Sequence, residues 1–175
     1  MPMFHPAVIS TARARIRSCL VSGCLPAVLL VAPGCSYHAG SFTDSSGPFP
    51  GPRLALPCLD LSVALVHSAS APGPVIQYSF GNRCRRSVTV DLAAARVTAR
   101  AATGEVVTLH PFDPRREIRA LPLDGLLSGR EQISYVGSQM SSAISICIDA
   151  TSVDGSAPVR LAPVCLAEAG TAVRL

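Results

Sequence analysis

The chain has 175 residues, with 15 basic groups that are all arginine, 11 acidic groups, seven cysteines, no tryptophan and 5% aromatic residues. Its formal charge of +4 falls close to neutral once Arg13, Arg15 and Arg17 are set aside, which removes the case for a basic nucleic-acid-binding surface. So few aromatic faces also argue against carbohydrate and single-stranded nucleic-acid sites, which stack their ligands on such rings.

From the N-terminus, the stretch Arg13-Ala-Arg15-Ile-Arg17 leads into an apolar run, Leu20–Ala32, broken by Pro26 and followed by Pro33-Gly34-Cys35-Ser36. A basic start, a short apolar centre and small residues before a cut mark a secretory signal peptide. A bilayer span needs about 20 apolar residues, so this run suits a signal core better than an uncut membrane helix.

The end of this stretch resembles the processing site of bacterial lipoproteins. In that family the cysteine after the cut takes lipid on its sulfur and becomes the first mature residue; here that position matches Cys35, preceded by Gly34. Pro33 and Ala32 depart from the family pattern, leaving an ordinary secreted form as the alternative. Cys24, in Leu20-Val-Ser-Gly-Cys24, fits the local pattern but follows Arg17 with almost no apolar run between. The resemblance implies an exported cell-envelope protein held to a membrane by a lipid anchor. Ser36, in place of Asp, leans toward the outer membrane. It implies nothing about the domain behind the anchor.

Removing residues 1–34 leaves 141, enough for one domain with a core of its own. Residues 35–57, rich in Ser, Gly and Pro, read as a disordered tether too polar to fold. A flexible chain of that length reaches roughly 25 Å. Period-two alternation then predicts strands: Leu59–Val66 with one strongly buried face, Val75–Phe80, Ser87–Leu92, Arg96–Ala101, Val106–His110, Glu131–Val136, Ala143–Thr151 and Pro158–Leu166. Thr103-Gly104 reads as a hairpin turn, Ile118–Leu121 as a short edge strand, and Leu123–Gly129 as irregular or one helical turn. In the Ala143–Thr151 strand, Ile144, Ile146 and Ile148 share one face. Strands at such spacing with almost no helix predict an all-β, antiparallel sandwich of about eight strands. It resembles immunoglobulin-like domains in architecture only, since their buried tryptophan is missing; a small barrel is the alternative. The expected organisation is 1–34 signal peptide, 35–57 tether, 58–166 sandwich and 167–175 loose tail.

Four cysteines, Cys58, Cys84, Cys147 and Cys165, remain in the mature part, and an even number in an exported chain predicts two disulfides. With no Cys-x-x-Cys pair and no nearby histidine, zinc is the poorer use. If Leu59–Val66 and Val75–Gly81 form a hairpin, Cys58 and Cys84 meet at its open end. If Ala143–Thr151 pairs with Val159–Leu166, Cys147 faces Cys165.

No nucleophile elbow, phosphate-binding loop, dinucleotide fingerprint or paired carboxylate occurs. His38, His67 and His110 read as surface residues, and neither cofactor nor metal is expected. The charge clusters are Arg83, Arg85 and Arg86 around Cys84, and Arg115, Arg116 and Arg119. Each reads as a solvated turn, or more sharply as a contact for lipid headgroups or another envelope protein. The expectation is a non-catalytic binding or structural module with no nucleic-acid partner. The alternatives are a small envelope hydrolase using His110 and Asp113, or a small-ligand carrier, with a site formed only on folding.

Overall fold

A computed structural model describes residues 36–113, 120–137, 142–150, 153, 162–166 and 173–174. The expected signal segment 1–34 and Cys35 lie outside the described residues, as do Arg115, Arg116 and Arg119. The strands are β1 (Thr43–Asp44), β2 (Gly47–Pro48), β3 (Arg53–Ala55), β4 (Leu59–Val66), β5 (Val75–Asn82) and β6 (Val88–Val90). One 3-10 turn (Leu92–Ala94) precedes β7 (Arg96–Arg100) and β8 (Val106–Pro111). Then come β9 (Leu121–Leu123), β10 (Ser128–Val136), β11 (Ser142–Ala143), β12 (Ser145–Asp149), β13 (Val164–Leu166) and β14 (Val173–Arg174).

Every pairing is antiparallel, and eight strands form one curled sheet in the order β13-β12-β7-β8-β10-β5-β4-β3. It bends where β10 leaves β5 and meets β8 through only Tyr135↔Pro111 and Val136↔His110. The sheet therefore folds into two leaves, β3-β4-β5-β10 and β8-β7-β12-β13, and gives the expected all-β antiparallel sandwich. The likeness to immunoglobulin domains is one of layering, since β4 pairs directly with the next strand, β5.

One core joins the leaves. Leu59, Leu61 and Val63 of β4, Ile76, Tyr78 and Phe80 of β5, and Ile133 and Tyr135 of β10 share it with Val97, Ala99, Leu109, Ile146 and Ile148. The alternation of apolar residues places these side chains on one face, as the period-two pattern requires. At the centre, the Tyr78 and Tyr135 hydroxyls satisfy each other at 2.7 Å. Thr103-Gly104 turns β7 into β8, as the sequence indicates.

The largest departure from expectation is the stretch 36–57. It is folded, forming the β1–β2 hairpin and β3, and it lies on the outer face of the first leaf. Its composition conceals Tyr37, Phe42 and Phe49, which are buried together in a cluster of their own. Tyr37 stacks on Phe49 at 5.8 Å, and Phe42 meets Phe49 edge-on at 6.3 Å. Arg130 of β10 grips Asp44 with two 2.9 Å bonds, and the Arg53 guanidinium sits 5.0 Å over the Phe42 ring.

The covered face is built from small and polar residues: Asp60 and Ser62 on β4, Ser79 and Gly81 on β5. All four are buried, so β4 is covered on both faces from Leu59 to Val63 and not on one alone. Gly81 is required there, because a Cβ would run into the Tyr37 ring.

Two smaller differences concern the C-terminal part. Ile144 is exposed, because the chain breaks its pairing between β11 and β12 and turns that side chain away from Ile146 and Ile148. Val173 and Arg174, expected in a loose tail, pair with Ala143 and Ser142. Leu123–Gly129 holds no helical turn; it ends β9 and reverses through Leu126 at φ +59°.

Gly81→Ala is expected to push Tyr37 off the sheet, at about 1–3 kcal/mol for overpacking. Denaturant unfolding should show the loss, and hydrogen exchange should show faster amide exchange across residues 36–50.

Burial, and then the hydrogen bond to Asp60, raise the Tyr37 phenol well above its ordinary 10. Burial and then the neighbouring Tyr135 raise Tyr78 in the same direction. The folded state therefore keeps both protons at a pH where the unfolded chain loses them, so stability falls as pH rises past about 10. By pH 11 the loss from Tyr37 is on the order of 1 kcal/mol, and Tyr78 adds to it in the same direction. With no lysine in the chain, denaturant titrations at pH 9 and 11 read it cleanly, and Tyr37→Phe should remove the Tyr37 share of it.

Candidate functional site

Pairing of β4 with β5 sets Cys58 and Cys84 just beyond Leu59↔Asn82, at the open end of the hairpin. They form a disulfide with Cα atoms 5.2 Å apart. Cys147 and Cys165 are directly opposed on β12 and β13 and form the second, with Cα atoms 3.9 Å apart. Both pairings are those the hairpin geometry indicates. Two disulfides belong to an oxidising, exported environment.

The first disulfide bounds the loop that carries Arg83, Arg85 and Arg86. Its shape is set by Asn82, whose buried amide donates to the carbonyls of Arg86 at 2.8 Å and of Leu123 and Asp124 at 3.1 Å each. The Asn82 Oδ1 accepts from the Cys84 N–H at 2.8 Å, an Asx turn. One side chain thus ties the arginine loop to the turn after β9. Gly125 completes the fit, since a Cβ there would strike the Arg85 carbonyl. Leu126, held in the left-handed region, donates its N–H to the Cys84 carbonyl at 3.1 Å and accepts from the Tyr37 N–H.

The three arginines differ in their surroundings. Arg83 reaches inward, its guanidinium 3.5 Å from Asp60 Oδ1. Arg86 lies 3.8 Å from the Cys58 sulfur. Arg85 and Arg86 are exposed, and neither forms an ion pair with a described residue. Asp124, the acid of this end, accepts from the Ser87 hydroxyl at 2.7 Å. Leu127, on the same turn, is 42% exposed.

Two concavities lie elsewhere. A cavity of about 600 Å³ opens beside the 3-10 turn and is lined by Arg96, Thr108, His110 and Tyr135 among others. Asp113 is not among its lining residues, so it does not join His110 to a carboxylate. A groove of about 340 Å³ runs over the outer face of the second leaf, past Arg96, Thr98, Arg100 and the Cys147–Cys165 bridge. His38, His67 and His110 are all exposed and lie on separate elements. Among the described residues no three His, Cys, Asp or Glu side chains converge as a metal site would need.

Asn82 and Tyr37 organise this end of the molecule, and the sequence reading did not single them out. An Asn two residues before a disulfide cysteine, in Gly81-Asn82-Arg83-Cys84, is a legible Asx-turn signal; nothing local marks Tyr37. Comparison with protein-family models, with curated proteins and with solved structures finds no match to this chain.

Asn82→Ala leaves the Cys84 N–H and three carbonyls without their partner, for an expected cost of about 3 kcal/mol. Denaturant unfolding with both disulfides intact measures it. Asn82→Asp keeps the acceptor for Cys84 but buries a carboxylate oxygen against three carbonyl oxygens, and should cost at least as much as Asn82→Ala.

Proposed function

We propose that this is a lipid-anchored protein of the bacterial cell envelope whose folded part is a non-catalytic binding or structural module. The observation that carries the reading is the two-disulfide sandwich following directly on a lipoprotein-like Gly34-Cys35. The motif supplies an anchor, and the disulfides suit the compartment into which such a chain is exported. Among the described residues, the two concavities bring together no nucleophile, base and acid, which favours binding over chemistry.

The surface open to a protein partner is the outer face of the second leaf. Residues 36–50 cover the first leaf over Asp60, Ser62, Ser79 and Gly81 and leave Gln77 and Gln132 at its other end in contact with solvent, whereas β7, β12 and β13 present Arg96, Thr98, Arg100 and the Cys147–Cys165 groove. Charged side chains on such a face, with Val106 at 53% exposed beside them, suit a partner that meets a broad shallow surface.

Intact mass of the protein expressed in a bacterial host, with and without Cys35→Ala, tests the anchor. The expected native species begins at Cys35 and carries added acyl mass, and the variant lacks it. A cleaved, unacylated native chain would instead make this a free secreted domain.

A further inference from the structure

We infer that the end of the sandwich bearing the Cys58–Cys84 loop lies flat against an anionic phospholipid surface. The inference rests on Cys35 as the lipid-bearing residue and adds an orientation and a headgroup preference to it.

Chain length sets the first constraint. A free tether would hold the domain roughly 25 Å from its anchor. Tyr37 removes that freedom. Its ring is seated on Gly81, its hydroxyl donates to Asp60 at 2.6 Å, and its N–H donates to the Leu126 carbonyl. Only Ser36 separates this fixed residue from Cys35, and two residues span at most about 7 Å. Chain connectivity thus limits an acyl group carried on residue 35 to the reach of Tyr37, whose N–H meets the Leu126 carbonyl.

What stands beside Leu126 is the arginine loop. Leu126 N–H bonds to the Cys84 carbonyl, and Arg83, Arg85 and Arg86 flank Cys84. A bilayer reached from Cys35 therefore meets this end first. Arg85 and Arg86 extend into solvent within about one Debye length of that surface, where phosphate oxygens match the guanidinium fork. Leu127 offers an apolar side chain to the interface.

The charge is modest. Buried Asp60 offsets Arg83, and Asp124 is the remaining acid of this end among the described residues, so the lipid chain supplies attachment while Arg85 and Arg86 set orientation and favour anionic headgroups. Arg96 sits on the second leaf, in the cavity that Tyr135 also lines. Tyr135 is seven residues along β10 from Ser128, about 23 Å from this end. Arg96 is therefore an internal reference.

The test uses the native protein purified from bacterial membranes. It is placed in detergent, in phosphatidylcholine vesicles, or in vesicles with about one-third phosphatidylglycerol. Phenylglyoxal labels arginine, and mass spectrometry reads each position together with the acylation of the N-terminal peptide. The expected result is labelling of Arg85 and Arg86 slowed about fivefold or more on phosphatidylglycerol vesicles, with Arg96 unchanged. About 1 M salt should reverse the part specific to phosphatidylglycerol and leave the protein on the vesicles. An acylated protein whose Arg85 and Arg86 label as in detergent would overturn the orientation and leave the anchor standing. An unacylated protein that stays off the vesicles would remove the anchor and the inference together.

Discussion

A carboxylate buried between two layers governs this structure. Asp60 is the second residue of β4, between the core residues Leu59 and Leu61, and it is fully buried. A carboxylate in that position is costly unless its charge is met by donors. Tyr37 Oη and the Gly40 N–H both reach Oδ2 at 2.6 Å, and Arg83 approaches Oδ1 at 3.5 Å. Oδ1 makes no hydrogen bond, so the Arg83 contact is electrostatic rather than a shared proton. Two of the three partners belong to the segment before β3. Asp60 therefore selects the covered state: without residues 37–40 it would face water, and with them it is desolvated but largely satisfied.

The consequence spreads through the first leaf. Seating Tyr37 requires the bare backbone of Gly81, and Tyr37 in turn stacks on Phe49, which meets Phe42 edge-on. Arg130 then closes the far side of the cover by clasping Asp44, with a further bond to the Gly47 carbonyl at 3.0 Å. The polar residues that alternate along β4 and β5 mark a second interface, between the sheet and its own N-terminal segment.

This explains what was legible in the sequence. The span of β4, the hairpins β4–β5 and β7–β8, and both disulfides follow from period-two alternation and turn residues, which are local signals. The cover was not legible, for two reasons. Its glycines and prolines resemble those of an unfolded linker, while its three aromatics, spaced five and seven residues apart, follow no strand or helix period. On the other side, Asp60 and Ser62 read as solvent-facing positions, because a polar residue alternating with leucine looks the same under water and under another layer. Ile144 failed for a similar reason: the irregularity between β11 and β12 shifts its side chain, and a period-two count cannot register a break. At the candidate site, the arginine cluster was visible as composition, but its attachment to Tyr37 depends on Leu126 and Asn82, contacts across 89 and 41 residues of chain.

The same packing bears on how an anchored domain would behave. A long tether leaves a domain free to rotate and to present any face, so its orientation carries no information. A segment folded onto the sheet up to Tyr37 removes most of that rotation and couples orientation to fold stability. Asp60 then acts at a distance. By holding Tyr37 it fixes where the chain leaves the sandwich, which determines which loops could meet a membrane and which remain for a partner. The two leaves are unequal for this reason. One is covered at the Asp60 end by residues 36–50, and the other presents Arg96, Thr98 and Arg100 beside the Cys147–Cys165 disulfide. In such an arrangement, a loss of binding on the open face can arise from a mutation beneath Tyr37, through misplacement of an intact surface.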